Sequence, residues 1–301
     1  MAFIKQTTVS EKVYYDLVES IRVKGKPKHR FIAHIGKRKP SEVELTMMNL
    51  NLVGNDELVV SKSLLSKEEM SKFDKLNKAV SDRLKEYSGL ELENFKKRFN
   101  ANFIYNTNAI EGSRISREEV NLILDTGQAV KGHSLREIYE VGNMFEAIKF
   151  VESHEEGLSE AFIKNIRAIV QKNIDMETLG VYKRVPNYIG NHLPTHPIFV
   201  EKKMKSILAW YHKNKNKFYP FELACIMHLK FIFIHPFTDG NGRTARLIHN
   251  FILMKNGVSP IIFSNSNKLA YYTAINLAHE NKVKPFIDYA VGEFVNTYEK
   301  F

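Results

Sequence analysis

The residues with the clearest chemical potential lie in one short segment, His235–Arg246, which reads HPFTDGNGRTAR. The helix before it should end at His235, because a residue that precedes proline is pushed out of the α region. Gly240 and Gly242 allow a sharp turn and a close approach of backbone N–H groups to a ligand. The helix that follows directs its own unpaired N–H groups to the same place. The segment therefore predicts an anion-binding site.

Two arginines strengthen this prediction. Arg243 and Arg246 are three residues apart and share a side of the first helical turn. Each cation at a helix N-terminus is unfavourable by roughly 0.3–1 kcal/mol, and a bound polyphosphate would reverse that sign. Residues 239–242 alone would fit an ordinary surface turn. Their combination with His235, Phe237 and both arginines favours a functional site.

The segment resembles the signature of the Fic-domain family, HxFx(D/E)GNGRxxR, with every defined position matched. The resemblance extends from about Ile104 to the C-terminus. It implies a mainly helical fold and the transfer of AMP from ATP to a protein hydroxyl. It also implies these roles: His235 as the general base, Asp239 as the ligand of Mg²⁺ (or Mn²⁺), Gly240, Asn241 and Gly242 as the phosphate cradle, Arg243 and Arg246 as ligands of the outer phosphates, and Phe237 as the anchor of the loop.

The chemistry of the residues agrees with that reaction. Displacement at phosphorus depends on positioning and charge neutralisation, which a cradle, a divalent ion and two arginines supply. A neutral histidine can accept the hydroxyl proton near pH 7. The sequence contains no G-x-x-x-x-G-K-[ST], G-x-S-x-G or H-E-x-x-H pattern. His192 and His196 are four residues apart, but Pro194 between them argues against a metal pair on a helix.

A second segment, Thr107–Gly112, reads TNAIEG. Thr107 and Glu111 share a helical face, and Gly112 is a typical residue after a helix end. By itself the segment fits an ordinary frayed helix end. It also resembles the Fic inhibitory motif, (S/T)xxxE(G/N), in which the glutamate pairs with the second arginine, here Arg246, and blocks the seat of the γ-phosphate. The resemblance predicts that Glu111→Gly increases AMP transfer and that His235→Ala abolishes it.

Other parts of the site are predicted by position. Residues about 185–199 fall where Fic proteins carry a flap hairpin that registers the target segment by strand addition, although an ordinary surface loop fits as well. Tyr272 resembles an adenine-facing residue, with a core tyrosine as the alternative. His279 stands where some relatives have asparagine, which leaves the base contact and a strict preference for ATP open. We interpret His228 as a structural histidine.

The elements that must position these residues are mainly helical. Helical periodicity runs from a capping box at Ser66–Glu69 onward, with helices predicted at 92–112, 134–152, 159–172, 201–213, 221–234, 242–256, 267–281 and 284–299. Residues 3–35 predict a small antiparallel sheet, and 37–62 a connector. The predicted fold is a helical Fic domain, 63–301, with an inhibitory helix at about 92–112 and a β-hairpin flap, preceded by a basic β-rich module and connector, 1–62.

Composition agrees with a globular protein. Of 301 residues, 44% are hydrophobic and 26% charged, which excludes a mostly disordered or collagenous chain. The net charge of +10 is concentrated in residues 1–40, where ten basic residues face three acidic ones. The single cysteine, Cys225, lies in an apolar run and is predicted to be buried. We see no signal peptide or membrane span, and we expect a cytoplasmic protein.

The leading hypothesis is a self-inhibited protein adenylyltransferase that uses ATP and Mg²⁺ and acts on Ser, Thr or Tyr of a protein target docked on the flap, or on itself. One alternative is removal of AMP from a modified protein on the same fold. Another is a nucleic-acid-binding regulator that acts through the basic module, although residues 1–62 show no recognisable base-reading element. For that module we favour a protein-docking or solvated face. The sequence is compatible with a homo-oligomer.

Overall fold

A computed structural model describes residues 1–23, 26–53, 58–187 and 194–299. The secondary structure of these residues is mainly helical, which confirms the predicted fold class. The strands are β1 (Ala2–Val9), β2 (Lys12–Val23) and β3 (Lys26–Gly36). The helices are α1 (Glu42–Val53), α2 (Lys67–Glu86), α3 (Gly89–Ile110), α4 (Arg117–Thr126), α5 (Leu135–Ser153), α6 (Glu160–Val170), α7 (Pro197–Asn214), α8 (Pro220–Ile234), α9 (Asn241–Lys255), α10 (Lys268–His279) and α11 (Lys284–Glu299), with a 3-10 turn at Asn265–Asn267.

The N-terminal strands form the predicted antiparallel sheet in the order β1-β2-β3. One face of the sheet is covered by a small apolar cluster in which Leu17 of β2 packs with Met48 of α1 and Phe199 of α7. In addition, the side chain of Asn51 accepts the N–H of His196 at 2.7 Å. The sheet is therefore attached to the helical part through α1 and α7, whereas the division of the chain at residue 62 stays a prediction.

Helix α1 lies in the segment that the sequence predicts only as a connector. Its start carries a local signal, because Ser41 Oγ accepts the N–H of Glu44 at 3.2 Å and Glu44 accepts the N–H of Ser41 at 2.8 Å. This reciprocal pair is a capping box of the kind predicted at Ser66. The apolar residues of α1 are spread around the helix, which removes the amphipathic pattern that would have revealed it.

Most predicted helices begin and end within a few residues of their predicted bounds. Capping boxes start four of them, with Ser66, Ser88, Ser116 and Ser134 as the N-cap residues. The predicted inhibitory helix, 92–112, corresponds to α3, which ends just before Glu111. No helix in the described ranges combines the length and the apolar character that a membrane crossing requires.

The helices on either side of the predicted chemistry form the centre of the core. Twelve of the fifteen residues of α8 are buried, and so are twelve of the fifteen of α9. Cys225 of α8 is fully buried, as predicted, and burial raises the pKa of its thiol. Removing such a side chain from a close-packed core typically costs a few kcal/mol. The loop between α8 and α9 is therefore held at both ends by the most rigid part of the fold.

The predicted flap, about 185–199, is only partly described. Residues 188–193 lie outside the described ranges, so the predicted hairpin lies largely outside the residues that the structure describes. The described remainder contains no strand, and α7 begins within it at Pro197. His192 also lies outside the described ranges. His196 caps α7, with its ring nitrogen 3.5 Å from the N–H of Ile198, so its position is that of a helix cap.

Candidate active site

The loop between α8 and α9 is fixed by its own residues. His235 ends α8 with a left-handed backbone (φ 50°), a conformation that costs a non-glycine residue about 1–3 kcal/mol. Asn241 holds the loop in place, because its side-chain oxygen accepts the N–H of Phe237 at 2.9 Å and its NH₂ donates to the Phe237 carbonyl at 2.8 Å. Phe237 itself is fully buried. The side chain of Asn241 thus stabilises the loop, while its backbone N–H belongs to the first turn of α9.

The N-terminus of α9 carries backbone donors that suit an anion. Gly240 takes a left-handed backbone (φ 81°) at the cap position, and no side chain caps the helix. The unpaired N–H groups and the positive end of the helix dipole are therefore directed at the loop. A Cβ atom at Gly240 would lie 2.8 Å from Gln171 Nε2. Gln171 is fully buried, and neither its oxygen nor its nitrogen has a hydrogen-bond partner within the protein.

Glu111 lies against this helix N-terminus. A Cβ atom at Gly242 would overlap the Glu111 carboxylate and would lie 3.2 Å from Arg246 Nη1. The same carboxylate accepts a hydrogen bond from Arg246 Nη2 at 2.7 Å. The negative charge of Glu111 thus occupies the space next to the first turn of α9, where the sequence predicts an anion.

Thr107 completes the contact between α3 and α9. Its hydroxyl accepts the N–H of Arg246 Nε at 2.7 Å, and its carbonyl accepts Nη2 at 3.0 Å. Arg246 is 1% exposed and Thr107 is also 1% exposed, so both groups are removed from water. Gly112 then turns the chain away with φ 102°. The residues of the predicted inhibitory motif and the second arginine of the predicted nucleotide site are therefore in direct contact.

The two arginines have different partners. Arg243 is also buried, but its Nη1 lies 3.0 Å from Glu140 of α5 and its Nη2 lies 3.7 Å from Asp239. Arg246 contacts α3 instead. Arg243 therefore stabilises the position of Asp239, and its Nη1 is charged and close to the loop without a well-aligned hydrogen bond. Its predicted contact with phosphate stays a prediction.

Asp239, the predicted metal ligand, faces two cations. Its Oδ2 accepts Arg136 Nη2 at 2.6 Å, and Arg243 lies on the other side. Burial opposes ionisation of this carboxyl, but the charge of Arg243, the N–H of Gly240 and the charge of Arg136 together lower its pKa. The described residues contain no cluster of three His, Cys, Asp or Glu side chains. Mg²⁺ is commonly held by one carboxylate together with substrate phosphates, and a single ionised aspartate next to an anion site fits that mode.

His235 is neutral at physiological pH. Burial, followed by the positive charge of Lys183, lowers its pKa to about 4. Its Nδ1 is buried and has no hydrogen-bond partner within the protein. A buried, uncharged imidazole at the loop can accept a proton, which is the state that a general base requires.

Lys183 and Asn187 are site residues that the sequence pattern did not reveal. The backbone N–H of Lys183 donates to the Pro236 carbonyl at 2.9 Å, and its ammonium donates to the Asn187 side chain at 2.6 Å. Asn187 in turn donates to the Phe237 carbonyl at 3.2 Å. Burial lowers the pKa of Lys183 to about 7. These contacts connect residues 183–187 to the loop, and nothing in the local pattern near Lys183 indicates them.

Tyr272, His279 and His228 lie in three different surroundings. Tyr272 is 39% exposed, and its hydroxyl lies 3.5 Å from the Ile110 carbonyl, so one part of the ring remains accessible. His279 stacks on Phe233 with ring centroids 3.7 Å apart. His228 is fully buried, and its Nε2 lies 2.8 Å from the Tyr271 hydroxyl. His228 therefore has the position of a structural histidine, and Tyr272 lies beside Glu111.

Two family models match different parts of the chain: residues 157–253 match the Fic/DOC family, and residues 4–50 match the N-terminal domain of IS1634 family transposases. Among curated proteins, a protein adenylyltransferase fic-1 from Caenorhabditis elegans is 34% identical over 194 residues, which cover 62% of this chain and 38% of that protein. The fic-1 protein from Caenorhabditis briggsae is 30% identical over 248 residues, which cover 78% of this chain and 48% of that protein. This chain thus spans less than half the length of these relatives.

Solved structures show the same fold. A Fic-domain-containing signaling protein from Bacteroides thetaiotaomicron superposes with a TM-score of 0.69 at 25% identity, covering 76% of this chain and 94% of that one. A structure of Fic-1 from C. elegans superposes with a TM-score of 0.66 at 26% identity, covering 86% of this chain and 83% of that one. Together with the signature at His235–Arg246, these matches show that the chain contains a Fic domain and belongs to the Fic/DOC family.

Proposed function

We propose that this protein is a self-inhibited protein adenylyltransferase, which transfers AMP from ATP to a Ser, Thr or Tyr hydroxyl of a protein target. The observation that carries the proposal is the position of Glu111. Its carboxylate lies on the anion-binding turn of α9 and pairs with buried Arg246, while neutral His235 stands at the start of the same loop. Curated relatives named protein adenylyltransferase support the reaction class.

In the proposed reaction the target hydroxyl attacks the α-phosphorus of ATP. His235 accepts the hydroxyl proton, a bond forms between the hydroxyl oxygen and the α-phosphorus, and the bond to the β-phosphate breaks, so that pyrophosphate leaves. The backbone of Gly240, Asn241 and Gly242 would hold the phosphates with its N–H groups. Tyr272 would pack on the adenine, since its ring is partly accessible beside the site. Charge stabilisation in a largely buried site supplies most of the rate enhancement.

Asp239 would hold Mg²⁺, or Mn²⁺ in its place, together with the phosphates. The ion would neutralise phosphate charge. Arg136 donates to Asp239 Oδ2, so its cation would compete with a metal ion for the charge of this carboxylate. Arg136 is exposed for about half of its side chain, which leaves room for the arginine to move away from the carboxylate.

Inhibition follows because Glu111 and the γ-phosphate of ATP would compete for Arg246. A γ-phosphate that pairs with Arg246 must displace Glu111, because both would accept hydrogen bonds from the same guanidinium. A charge-assisted hydrogen bond of this kind contributes roughly 1.5–3 kcal/mol. If it competes directly with the phosphate, activity is repressed by about ten- to a hundredfold or more. Glu111 is also partly accessible, so solvent can help to release it.

The test is a mass-spectrometric assay of the product. Glu111→Gly protein is incubated with ATP and Mg²⁺, alone and with cell extract, and analysed for a mass increase of one AMP unit on a hydroxyl side chain. An adduct on the protein itself would identify the proposed auto-AMPylation. Absence of any adduct, together with absence of pyrophosphate release, would overturn the proposal.

A second incubation tests the reverse reaction. Target that has been modified by Glu111→Gly protein is purified free of ATP and then incubated with the wild-type protein and Mg²⁺ or Mn²⁺. Release of AMP that requires Glu111 would assign removal of AMP as the main activity. Stable modified protein, with AMP transfer by the Glu111→Gly form, supports the forward reaction.

A further inference from the structure

The hairpin of β2 and β3 extends beyond the rest of the sheet. The last pair between β1 and β2 is Ala2 with Glu19, whereas β2 and β3 remain paired up to Val23 with Lys26. Residues 20–23 and 26–29 consequently form a two-stranded ribbon whose side chains are almost all exposed, and the exposed side chains of Arg30 and Phe31 continue β3 where β1 begins to pair with β2. Ala2, which belongs to the apolar contact with α1 and α7, pairs with Glu19, so the ribbon begins directly beyond that contact and extends past it. The proposed AMP transfer assigns no role to the ribbon.

The ribbon carries a row of cations on one face. Lys26, Lys28 and Arg30 alternate along β3, so they project from the same face at intervals of about 6.8 Å. All three are exposed. Glu19 is the one acidic side chain among residues 18–23 and 26–31, and it pairs with Arg30. Arg22 adds a fourth cation on the opposite face.

We propose that this ribbon binds duplex DNA, with the strands in the major groove and the cation row along one phosphate backbone. A two-stranded β-ribbon fits the major groove of B-form DNA, which is about 12 Å wide. The regular spacing of the row suits a polymer whose charges repeat along its length. Protein interfaces are commonly centred on a buried aromatic or arginine anchor, whereas the row face carries exposed charges with Ile21 and Val23 beside them and no Trp or Tyr. The sequence did not indicate a base-reading element in residues 1–62, because a ribbon of this kind has no motif and becomes visible only when the strand pairing is known.

The geometry also distinguishes DNA from RNA. The major groove of an A-form RNA duplex is deep and narrow, so the ribbon cannot enter it. Single strands lack a groove, and the described part of this segment exposes two aromatic rings for stacking, Phe31 and the imidazole of His29, of which His29 already contacts Phe3. Duplex DNA should therefore bind more tightly than either duplex RNA or a single strand at the same salt concentration.

The test measures fluorescence anisotropy of a labelled short DNA duplex with the full chain, at salt concentrations from about 50 to about 200 mM. A triple variant, Lys26→Thr, Lys28→Thr and Arg30→Thr, removes the row while retaining residues that favour strands. The matched control removes three exposed lysines from the end of α7 and beyond, Lys213→Ala, Lys215→Ala and Lys217→Ala, and so changes net charge by the same amount. A second control, Lys26→Arg, Lys28→Arg and Arg30→Lys, keeps the charges.

We expect the ribbon variant to bind DNA at least tenfold more weakly and to lower the slope of log K against log salt by about 1.8 to 2.7, since each phosphate contact contributes about 0.9 and Arg30 is already paired with Glu19. The α7 control and the charge-conserving variant should bind like the wild type, and AMP transfer should be unchanged in all of them. Absence of DNA binding by the wild type, equal losses in the ribbon and α7 variants, or equal binding of duplex RNA would each overturn the proposal. Equal competition by polyglutamate would indicate an acidic protein partner and overturn it as well.

Discussion

The carboxylate of Glu111 lies 2.7 Å from Nη2 of Arg246, although 135 residues separate them along the chain. Glu111 follows the last turn of α3, where the negative end of the helix dipole disfavours a carboxylate. Arg246 lies near the start of α9, on the side of the positive end of the helix dipole, which disfavours a cation. Each residue is poorly placed within its own helix and well placed for the other. The pair therefore links the two helix ends on which the proposed regulation depends.

Thr107→Val tests how much the hydrogen bond between the Thr107 hydroxyl and Arg246 contributes to stability. Valine keeps the shape of the side chain but leaves the buried Nε of Arg246 without its acceptor, so the free energy of unfolding should fall by about 1–3 kcal/mol. Thr126→Val is the control, because that hydroxyl is exposed and water can replace its contacts, so a change within about 0.5 kcal/mol is expected. Urea unfolding of both variants provides the measurement. Equal effects would show that the Thr107 hydroxyl contributes nothing specific.

Gly240→Ala tests the tight turn before α9. Alanine would have to adopt a left-handed backbone, at about 1–2 kcal/mol, and its Cβ would press on the buried Gln171 amide, which adds about 1–3 kcal/mol. Gly257→Ala has a similar backbone (φ 71°) with nothing within 4 Å of the new Cβ, so it should show the backbone cost alone. The difference between the two unfolding free energies isolates the contact with Gln171. If Gly257→Ala destabilises the protein as much as Gly240→Ala, the close approach has no energetic effect.

The decline of kcat/KM at low pH (the acid limb of the pH profile) should report the protonation of His235. In the unfolded chain a histidine has a pKa of about 6.5, whereas burial and then Lys183 lower that of His235 to about 4 in the folded protein. The imidazole therefore stays neutral as pH falls through 6. The charge of Glu111 raises the pKa of His235, so in the Glu111→Gly form kcat/KM should decline only at about pH 4 or below. Between these two values the unfolded state binds a proton that the folded state lacks, so the same group makes the folded state less stable as pH falls.

Variants of Lys183 test whether the decline of activity at low pH belongs to His235. Lys183→Met removes a charge that lowers the pKa of His235, so the acid limb should move to higher pH, while Lys183→Arg should leave it close to its original position. Loss of the hydrogen bond to Asn187 in both variants would lower kcat without moving the limb. An acid limb that is identical in the Met and Arg variants would exclude an electrostatic effect of Lys183 on His235.

Arg136→Gln tests whether Arg136 and Mg²⁺ compete for the carboxylate of Asp239. Loss of the arginine charge and of its 2.6 Å hydrogen bond frees an oxygen of the aspartate, so the Mg²⁺ concentration for half-maximal activity of the Glu111→Gly form should fall severalfold. Arg114→Gln is the control, because its exposed side chain pairs with Glu137 and leaves Asp239 untouched. An unchanged Mg²⁺ requirement in Arg136→Gln would contradict the assignment of Asp239 as a metal ligand.

The parts of the site that could be predicted are those that short-range signals determine. Pro236 and Gly240 restrict the backbone at their own positions, so the end of α8 and the turn before α9 are visible in the sequence, as are the capping boxes. Lys183 and Gln171 contact the loop through tertiary packing, with more than fifty residues of chain between each of them and its contact. No local pattern encodes such a contact. Helix α1 was missed for a different reason, since its capping box is present but its apolar residues lie on all sides.

Restraint of the enzyme by Glu111 is tested most directly by the initial rate of AMP incorporation from labelled ATP at saturating Mg²⁺. The rate is measured for four proteins: wild type, Glu111→Gly, Glu111→Gly with His235→Ala, and Glu280→Gly. The last is a matched control, because Glu280 also follows the end of a helix but is exposed and pairs only with nearby Lys282. We predict an increase of about ten- to a hundredfold for Glu111→Gly, a loss of incorporation when His235→Ala is added, and no change for Glu280→Gly. Equal, measurable rates for the wild type and Glu111→Gly would contradict the claim that Glu111 restrains the enzyme.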